Sequence, residues 1–371
     1  MIILTIIEAV VSATFGALVV ASSGALLTHQ KIFNNEFTMT LSKVVERMFL
    51  PAMIFTNFLK TVTLDSLFGL IPTILTTFFC ILCGYLIGVV SNKYWIKKEN
   101  LNSIIVLSAA NPHTINIQLQ IAYGLTTYFS KITGQSEKET ESKLVTIIII
   151  QTVIVNAFRW SIGKRIMQQH KVTEQYSEVE LLTLKIAQPQ QQLQINQNKK
   201  QESSFWNPPL ISVIVSLLCL PIQNQLINDT FIHRALFLPL QTISRACPPS
   251  VLMILGSNLY LIYFKNTQKK ENLITILLIV ANRLILLPMI GLSTVLFLNW
   301  FGIMTDICEL FILFITFCTP SAITILVMAK QYQQQLEDVV SLILFYGYIL
   351  CIITLPVWMT IYLAIFQPKN D

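Results

Sequence analysis

Long apolar runs recur along the chain, and short polar connections separate them. A run of about 20 apolar residues can cross ~30 Å of hydrocarbon as a helix. Continuous runs favour helices over the strands of a membrane barrel, in which apolar and polar residues alternate. The pattern predicts an all-α polytopic membrane protein with ten spans, at residues 3–27, 40–59, 67–91, 101–125, 144–165, 207–226, 234–262, 273–298, 306–330 and 338–366.

A polar, glutamine-rich segment divides the predicted spans into two groups of five. This segment, at 166–205, holds few large apolar residues and is predicted to be a flexible linker. The flanking domains are an N-terminal five-helix membrane repeat at 1–165 and a C-terminal one at 206–371. Because five is odd, the second group enters the membrane upside down relative to the first. The sequence therefore predicts an inverted-topology repeat, which many secondary transporters share.

The distribution of basic residues predicts the orientation of the protein in the membrane. Most of the 25 Lys and Arg residues lie in alternate connections and in the linker. By the positive-inside rule these regions face the cytosol, which places both termini on the opposite side. The net charge of +6 is thus explained by topology, and we expect no nucleic-acid partner.

Composition and motifs exclude several functional classes. Only 12% of the 371 residues are charged, against about 25% in soluble domains, so a soluble enzyme or a disordered protein is excluded. The sequence lacks the H-E-x-x-H, G-x-S-x-G, Walker and G-x-G-x-x-G motifs, so we expect no enzyme and no cofactor. The seven cysteines all fall inside apolar runs, which indicates helix packing and not a metal site.

Two prolines lie near the middle of repeat-equivalent spans, Pro112 in the fourth and Pro320 in the ninth. A mid-span proline removes a backbone hydrogen bond and breaks or kinks the helix. Polar residues surround both breaks, namely Ser108, Asn111, His113, Thr114 and Asn116 at the first and Thr319, Ser321 and Thr324 at the second. The sequence predicts that the broken fourth and ninth helices meet near the middle of the membrane and present half-helix N-termini to an anion. A pair of kinks relieved by neighbouring helices is the alternative.

Charged and titratable residues inside spans supply further candidates. Arg283 follows Asn282 near the middle of the eighth span and is the best candidate to neutralise an anion or an internal carboxylate. Arg159 and Arg245 lie nearer the predicted inner ends, where we expect their side chains to snorkel to the surface, with a substrate role as the alternative. His113 beside the first break can titrate near neutral pH, although a neutral, hydrogen-bonded histidine is the commoner outcome for such a residue.

Several segments occur in the order found in a known transporter family. They are Phe49-Leu50-Pro51-Ala52-Met53-Ile54-Phe55, Asn207-Pro208-Pro209, Leu255-Gly256-Ser257-Asn258-Leu259, Arg283-Leu284 with Pro288, Pro320-Ser321-Ala322, Lys330-Gln331-Tyr332 and Leu355-Pro356-Val357-Trp358. In these segments the chain resembles the auxin efflux carrier family, in particular its PIN-LIKES branch.

The resemblance implies a substrate site where the fourth and ninth spans cross, and transport of an organic acid such as indole-3-acetic acid. Asn111-Pro112 occupies the place of the asparagine-proline that helps to hold the carboxylate in the related carriers. Two differences stand out: Ser108-Ala109-Ala110 replaces the usual glycine-asparagine lead, and Ile323-Thr324 stands where an asparagine is common. The resemblance favours the endoplasmic reticulum membrane, with the plasma membrane and the vacuole as alternatives.

These observations predict a secondary carrier or facilitator that moves a small organic anion, with an auxin-like carboxylate favoured, by alternating access. The alternative is a non-transporting membrane sensor or scaffold that binds a ligand and signals through the cytosolic linker. The expected partners are the anion and the lipid bilayer, and a homodimer is left open. The candidate substrate-binding residues are Asn111, Pro112, His113, Asn282, Arg283, Pro320, Ser321 and Thr324.

Overall fold

A computed structural model describes residues 2–61, 71–168, 208–264 and 272–366, and within these ranges the chain is helical and contains no β-strand. The helices are α1 (Ile2–His29), α2 (Asn35–Val44), α3 (Leu50–Thr61), α4 (Ile71–Ser91), α5 (Asn102–Ala110), α6 (Asn116–Thr133), α7 (Glu137–Phe158), α8 (Pro208–Leu218), α9 (Gln223–Ile227), α10 (Leu238–Ser244), α11 (Cys247–Phe264), α12 (Leu273–Ala281), α13 (Leu287–Trp300), α14 (Ile307–Cys318), α15 (Thr324–Tyr332) and α16 (Glu337–Phe366).

Short π-helical turns join or extend several of these helices. In the described part of the chain they are Val45–Phe49, Asn92–Ile96, Arg159–Gly163, His233–Phe237 and Asn282–Leu286. Such turns inside α-helices often mark functional sites. Here two of them carry Arg159 and Arg283, the arginines that lie deepest in the protein.

Helical segments coincide with all ten predicted spans over their described parts. Four of them are long and apolar enough to cross a membrane: Ile71–Ile96, Glu137–Gln168, Leu273–Trp300 and Gln334–Phe366. A fifth is counted if Pro208–Leu218 and Leu220–Ile227, bent by 55°, form one span. The prediction of an all-helical integral membrane protein is confirmed, whereas the ten-span inverted repeat stays a prediction. Most of the predicted linker, from residue 169 onward, lies outside the described residues.

Polar residues at helix ends explain where several helices begin. Ser136 accepts a hydrogen bond from the backbone N–H of Glu139, and the Glu139 carboxylate accepts one from the backbone N–H of Ser136, which forms a capping box at the start of α7. Asp306 caps α14 in the same way by accepting from the N–H of Glu309 at 3.1 Å. These caps fix the outer ends of two helices that reach the centre of the protein.

The two helices that precede the predicted breaks lie at the centre of the bundle. In α5 every residue from Ser103 to Ala110 is buried, and in α14 the same holds from Leu310 to Cys318. By contrast, α4 exposes Phe78 and Leu82 by 52% each. A helix that is apolar on all sides belongs in an interior, and a row of large exposed apolar side chains is typical of a lipid-facing surface.

Glycines allow α4 to approach α5 closely. A Cβ added to Gly84 would lie 2.5 Å from the carbonyl oxygen of Ala109, and one added to Gly88 would lie 2.6 Å from the Cα of Val106. Small residues four apart permit such backbone contact between membrane helices. Helix α4 therefore fixes the position of α5, and with it the position of the first break.

Candidate functional site

The interruption between α5 and α6 contacts the interruption between α14 and α15. The backbone N–H of His113 donates to the carbonyl of Pro320 at 2.9 Å, and the N–H of Ala322 donates to the carbonyl of Asn111 at 3.0 Å. The two bonds form an isolated antiparallel bridge. The broken helices therefore cross at their breaks, and each break satisfies backbone groups of the other.

Side chains donate hydrogen bonds to two carbonyls near the end of α5, and one of these, the carbonyl of Ser108, has no helical partner because Pro112 lacks an N–H. Pro112 has no N–H, so α5 cannot continue through it. Ser321 Oγ donates to the carbonyl of Ser108 at 2.7 Å, and Asn111 Nδ2 donates to the carbonyl of Leu107 at 2.9 Å. Asn111 is fully buried and points back along α5. These contacts give Asn111 and Ser321 a role in building the crossover.

Two half-helices begin at the crossover without a side-chain cap. Helix α6 starts after Ile115 and α15 starts after Ile323, and neither isoleucine has a polar atom that caps a backbone N–H. In α15 the N–H groups of Ile325 and Leu326 donate to carbonyls of the preceding loop, at 3.1 and 2.9 Å. The first turn of a helix carries a partial positive charge. Two such ends meet here, and no side-chain cap neutralises either.

A cavity with about 540 Å³ of free space, its open mouth included, lies beside the crossover. Both breaks, α7 with its π-helical turn, α3 and α11 form its wall. The lining residues are Leu50, Met53, His113, Thr114, Ile115, Thr152, Asn156, Arg159, Cys247, Pro248, Val251, Leu252, Ala322, Ile323 and Thr324. Hydroxyl, amide and charged groups come from the breaks and α7, whereas α3 and α11 contribute a mainly apolar wall. The cavity therefore suits a molecule with one polar end.

Arg159 supplies the positive charge of this cavity. Its side chain is only 3% exposed, and its guanidinium donates to Asn156 Oδ1 at 2.7 Å, to Asn111 Oδ1 at 3.3 Å and to the Pro112 carbonyl at 3.4 Å. No carboxylate among the described residues forms an ion pair with it. The expectation that Arg159 snorkels to the surface is wrong, because neutral oxygens beside the crossover hold its guanidinium. Arg245 does reach the surface.

Three polar residues of α7 and of the π-helical turn that follows it lie on one face. Thr152, Asn156 and Arg159 are spaced by four and three residues, which places them on the same side. Thr152 Oγ1 also donates to the carbonyl of Thr114 at 3.0 Å and so links α7 to the first break. This polar stripe in an apolar span is a sequence signal that places Thr152 and Asn156 beside Arg159.

His113 and Thr324 are the two sequence-predicted site residues that line the cavity. The imidazole of His113 packs edge to face on Tyr348, with ring centroids 5.8 Å apart. Thr324 Oγ1 is buried and has no hydrogen-bond partner among the described residues. Both side chains are therefore placed to contact a bound molecule.

Asn282 and Arg283 lie outside the cavity lining. Asn282 Nδ2 donates to Ser91 Oγ at 2.7 Å, which joins the eighth predicted span to α4. Arg283 donates to backbone carbonyls at the crossover, including that of Thr319 at 2.8 Å. The prediction that Arg283 binds the anion stays untested, and its geometry favours a different role. Pro112 and Pro320 likewise build the crossover and do not line the cavity.

Comparison with known proteins supports the assignment of the chain to one protein family. A family model described as "Membrane transport protein" matches residues 6–359, which is nearly the whole chain. A comparison with curated proteins gives no match.

Proposed function

The chain belongs to the membrane transport protein family, that of the auxin efflux carriers, and we propose that it moves a small organic anion across the membrane. Members of this family are transporters and not enzymes, and the protein is an integral membrane protein. The finer proposal is an auxin-like carboxylate as substrate, carried by alternating access around the crossover cavity.

Arg159 is the observation that carries the anion proposal. A buried guanidinium without a carboxylate partner is unfavourable, because the protein has removed the charge from water without replacing its counter-ion. Charged side chains at membrane depth mark substrate or ion pathways by default. An anion in the cavity supplies the missing negative charge beside Asn156 and Thr152, which can orient it. The substrate thereby offsets the cost of keeping this guanidinium away from water.

The half-helix ends that begin after Ile115 and Ile323 favour the same sign of charge. Each half-helix directs its positive end toward the crossover, and the helix dipole favours negative charge near an N-terminus. Thr324 adds a hydroxyl group on the α15 side. A carboxylate between Arg159 and these ends meets positive potential on two sides.

The rest of the cavity favours an apolar body attached to the carboxylate. Leu50 and Met53 on one side, with Val251 and Leu252 beside them, offer a surface without charge. An aromatic monocarboxylate such as indole-3-acetate fits this division into a polar and an apolar wall.

Alternating access requires one wall of the cavity to move against the other. The crossover and α7 form one wall, and α3 with α11 form the other. In secondary transporters built from inverted repeats, rocking of one bundle against another exposes a central site to each side in turn. The proposed assignment to the PIN-LIKES branch, and to the endoplasmic reticulum membrane, rests on the sequence resemblance.

Flux measurements on purified protein in liposomes test the proposal. We expect saturable uptake of labelled indole-3-acetate that Arg159→Gln reduces and that the exposed-site variant Arg234→Gln leaves unchanged. Parallel uptake measurements with a dicarboxylate and with the uncharged indole-3-acetamide show which substrate charge the protein prefers. Saturable binding without flux would support the alternative of a ligand-binding sensor, and uptake of the amide at the same rate as the acid would refute an anion site.

A further inference from the structure

Arg283 binds the ends of both broken helices at once. It lies in the π-helical turn between α12 and α13 and is 1% exposed. Its Nε donates to the carbonyl of Thr319 at 2.8 Å, its Nη1 donates to the carbonyl of Ala109 at 3.0 Å, and its Nη2 donates to the carbonyl of Thr316. All three guanidinium nitrogens are therefore occupied by backbone oxygens.

These acceptors are carbonyls at the C-terminal ends of half-helices. Ala109 lies in the last turn of α5, Thr316 lies in the last turn of α14, and Thr319 is the C-cap of α14. The last four carbonyls of a helix lack intrahelical partners and carry partial negative charge. Inside a membrane each unsatisfied carbonyl is costly. One planar guanidinium with five donors can satisfy several of them in a fixed geometry.

The charges around the crossover are consequently separated by sign. Arg283 occupies the negative ends of α5 and α14, whereas the positive ends of α6 and α15 adjoin the cavity that Arg159 lines. No carboxylate of the described chain pairs with Arg283. The donors of Arg283 are directed to backbone carbonyls, and Arg283 does not line the cavity. Its positive charge therefore stabilises the backbone of the crossover.

We propose that Arg283 is the positioning residue of the crossover. It fixes α5 and α14 relative to each other, so that the N-termini of α6 and α15 point to the same bound anion. This inference rests on the proposed function, because it assumes that the anion binds beside those half-helices. It assigns Arg283 an effect on substrate affinity through geometry, without contact between its side chain and the substrate.

Substitutions at Arg283 separate positioning from general loss of structure. We expect Arg283→Gln to raise the KM for indole-3-acetate in liposomes at least about tenfold, and Arg283→Lys to raise it less. An ammonium group retains the charge but lacks the planar fork. Indole-3-acetamide is uncharged and therefore interacts weakly with the positive half-helix ends. Its inhibition constant against indole-3-acetate uptake should change little in the Arg283 variants. An unchanged KM for the acid, or an equal loss for acid and amide, would overturn the proposal.

A second measurement does not depend on any substrate. Cys318 ends α14 beside Arg283, and Cys308 begins the same helix far from it; both thiols are fully buried. Labelling with N-ethylmaleimide, read for each peptide by mass spectrometry, should be faster at Cys318 but not at Cys308 in Arg283→Gln. Equal rates in variant and wild type, or equal acceleration at both cysteines, would contradict a local positioning role. If the wild type neither binds nor moves the acid, the proposed function fails, and this labelling still decides the role of Arg283.

Discussion

The guanidinium Nε of Arg159 lies 3.3 Å from Oδ1 of Asn111, so the arginine of α7 is tied to the first break. The asparagine uses its amide nitrogen for the carbonyl of Leu107 and its amide oxygen for Arg159. The sequence resemblance gives Asn111 the task of holding a carboxylate. That role stays a prediction. In the structure Asn111 accepts a hydrogen bond from the charged side chain of Arg159, so substitutions at the two residues lead to separate predictions.

Removing the charge of Arg159 should weaken anion binding strongly. A hydrogen bond to a charged group contributes roughly 1.5–3 kcal/mol, and 1.4 kcal/mol corresponds to tenfold in affinity, so we expect Arg159→Gln to lower affinity about 10- to 100-fold. Equilibrium binding of labelled indole-3-acetate to purified protein measures this loss. Arg234→Gln is the matched control, because Arg234 is largely exposed and pairs with Asp229 at 3.2 Å. An unchanged affinity of Arg159→Gln for indole-3-acetate would contradict the proposal that the Arg159 guanidinium binds the substrate.

Changing Asn111 should act through Arg159. In Asn111→Ala the guanidinium loses one of its acceptors, and we expect affinity for the anion to fall about tenfold, because a bond to a charged group contributes roughly 1.5–3 kcal/mol. Asn111→Asp places a carboxylate beside the arginine and should compete with the substrate, so binding should fall further. The same binding measurement compares the two variants. An aspartate variant that binds as well as or better than the alanine variant would contradict competition between its carboxylate and the substrate for Arg159.

Sequence reasoning located the breaks but not the directions of the side chains around them. Pro112 and Pro320 were readable because a proline inside an apolar run has a fixed effect on the backbone. The side to which Arg283 turns depends on the rotation of its helix about the helix axis. Helix α12, which leads into the Arg283 turn, is almost entirely apolar and gives no period from which to derive that rotation. The role of Arg283 therefore follows only from the packed structure, whereas Arg159 belongs to a polar stripe that the sequence already contains.

The close contact between α4 and α5 predicts a sensitive position at Gly84. A Cβ there would lie 2.5 Å from the Ala109 carbonyl oxygen, so Gly84→Ala forces the two helices apart and should destabilise the protein by about 1–3 kcal/mol. Gly16 in α1 has no heavy atom within 4 Å of an added Cβ, so Gly16→Ala should leave stability unchanged or raise it slightly. Thermal unfolding in detergent compares the variants. Equal melting temperatures would mean that the contact is not tight.

The charge distribution predicts the topology of the termini. Because basic residues concentrate in the linker and in alternate connections, epitope tags at both ends should be shielded from the cytosol, and a tag beside Gln191 should be accessible to it. Antibody access in selectively permeabilised cells measures this. Termini on opposite sides would require an odd number of spans and would exclude the inverted five-plus-five arrangement.

Lys330 and Glu337 form a buried ion pair near the end of α15, and breaking it should strongly lower the stability of the protein. Lys330 Nζ lies 2.9 Å from Glu337 Oε2 and donates to Asn258 Oδ1 at 3.2 Å, and its side chain is fully buried. Removing one partner of a buried pair leaves the other charge uncompensated and costs about 3–5 kcal/mol, whereas replacing both with apolar residues is often neutral.

We therefore expect Lys330→Met to lower the melting temperature sharply and Lys330→Met with Glu337→Leu to restore much of it. A double-mutant cycle from thermal unfolding gives the coupling energy. The exposed pair of Arg234 and Asp229 provides the contrast, because its removal should leave the melting temperature within error. Additive effects of the two substitutions would show that Lys330 and Glu337 act independently, and the buried lysine would then depend on Asn258 for its stabilisation.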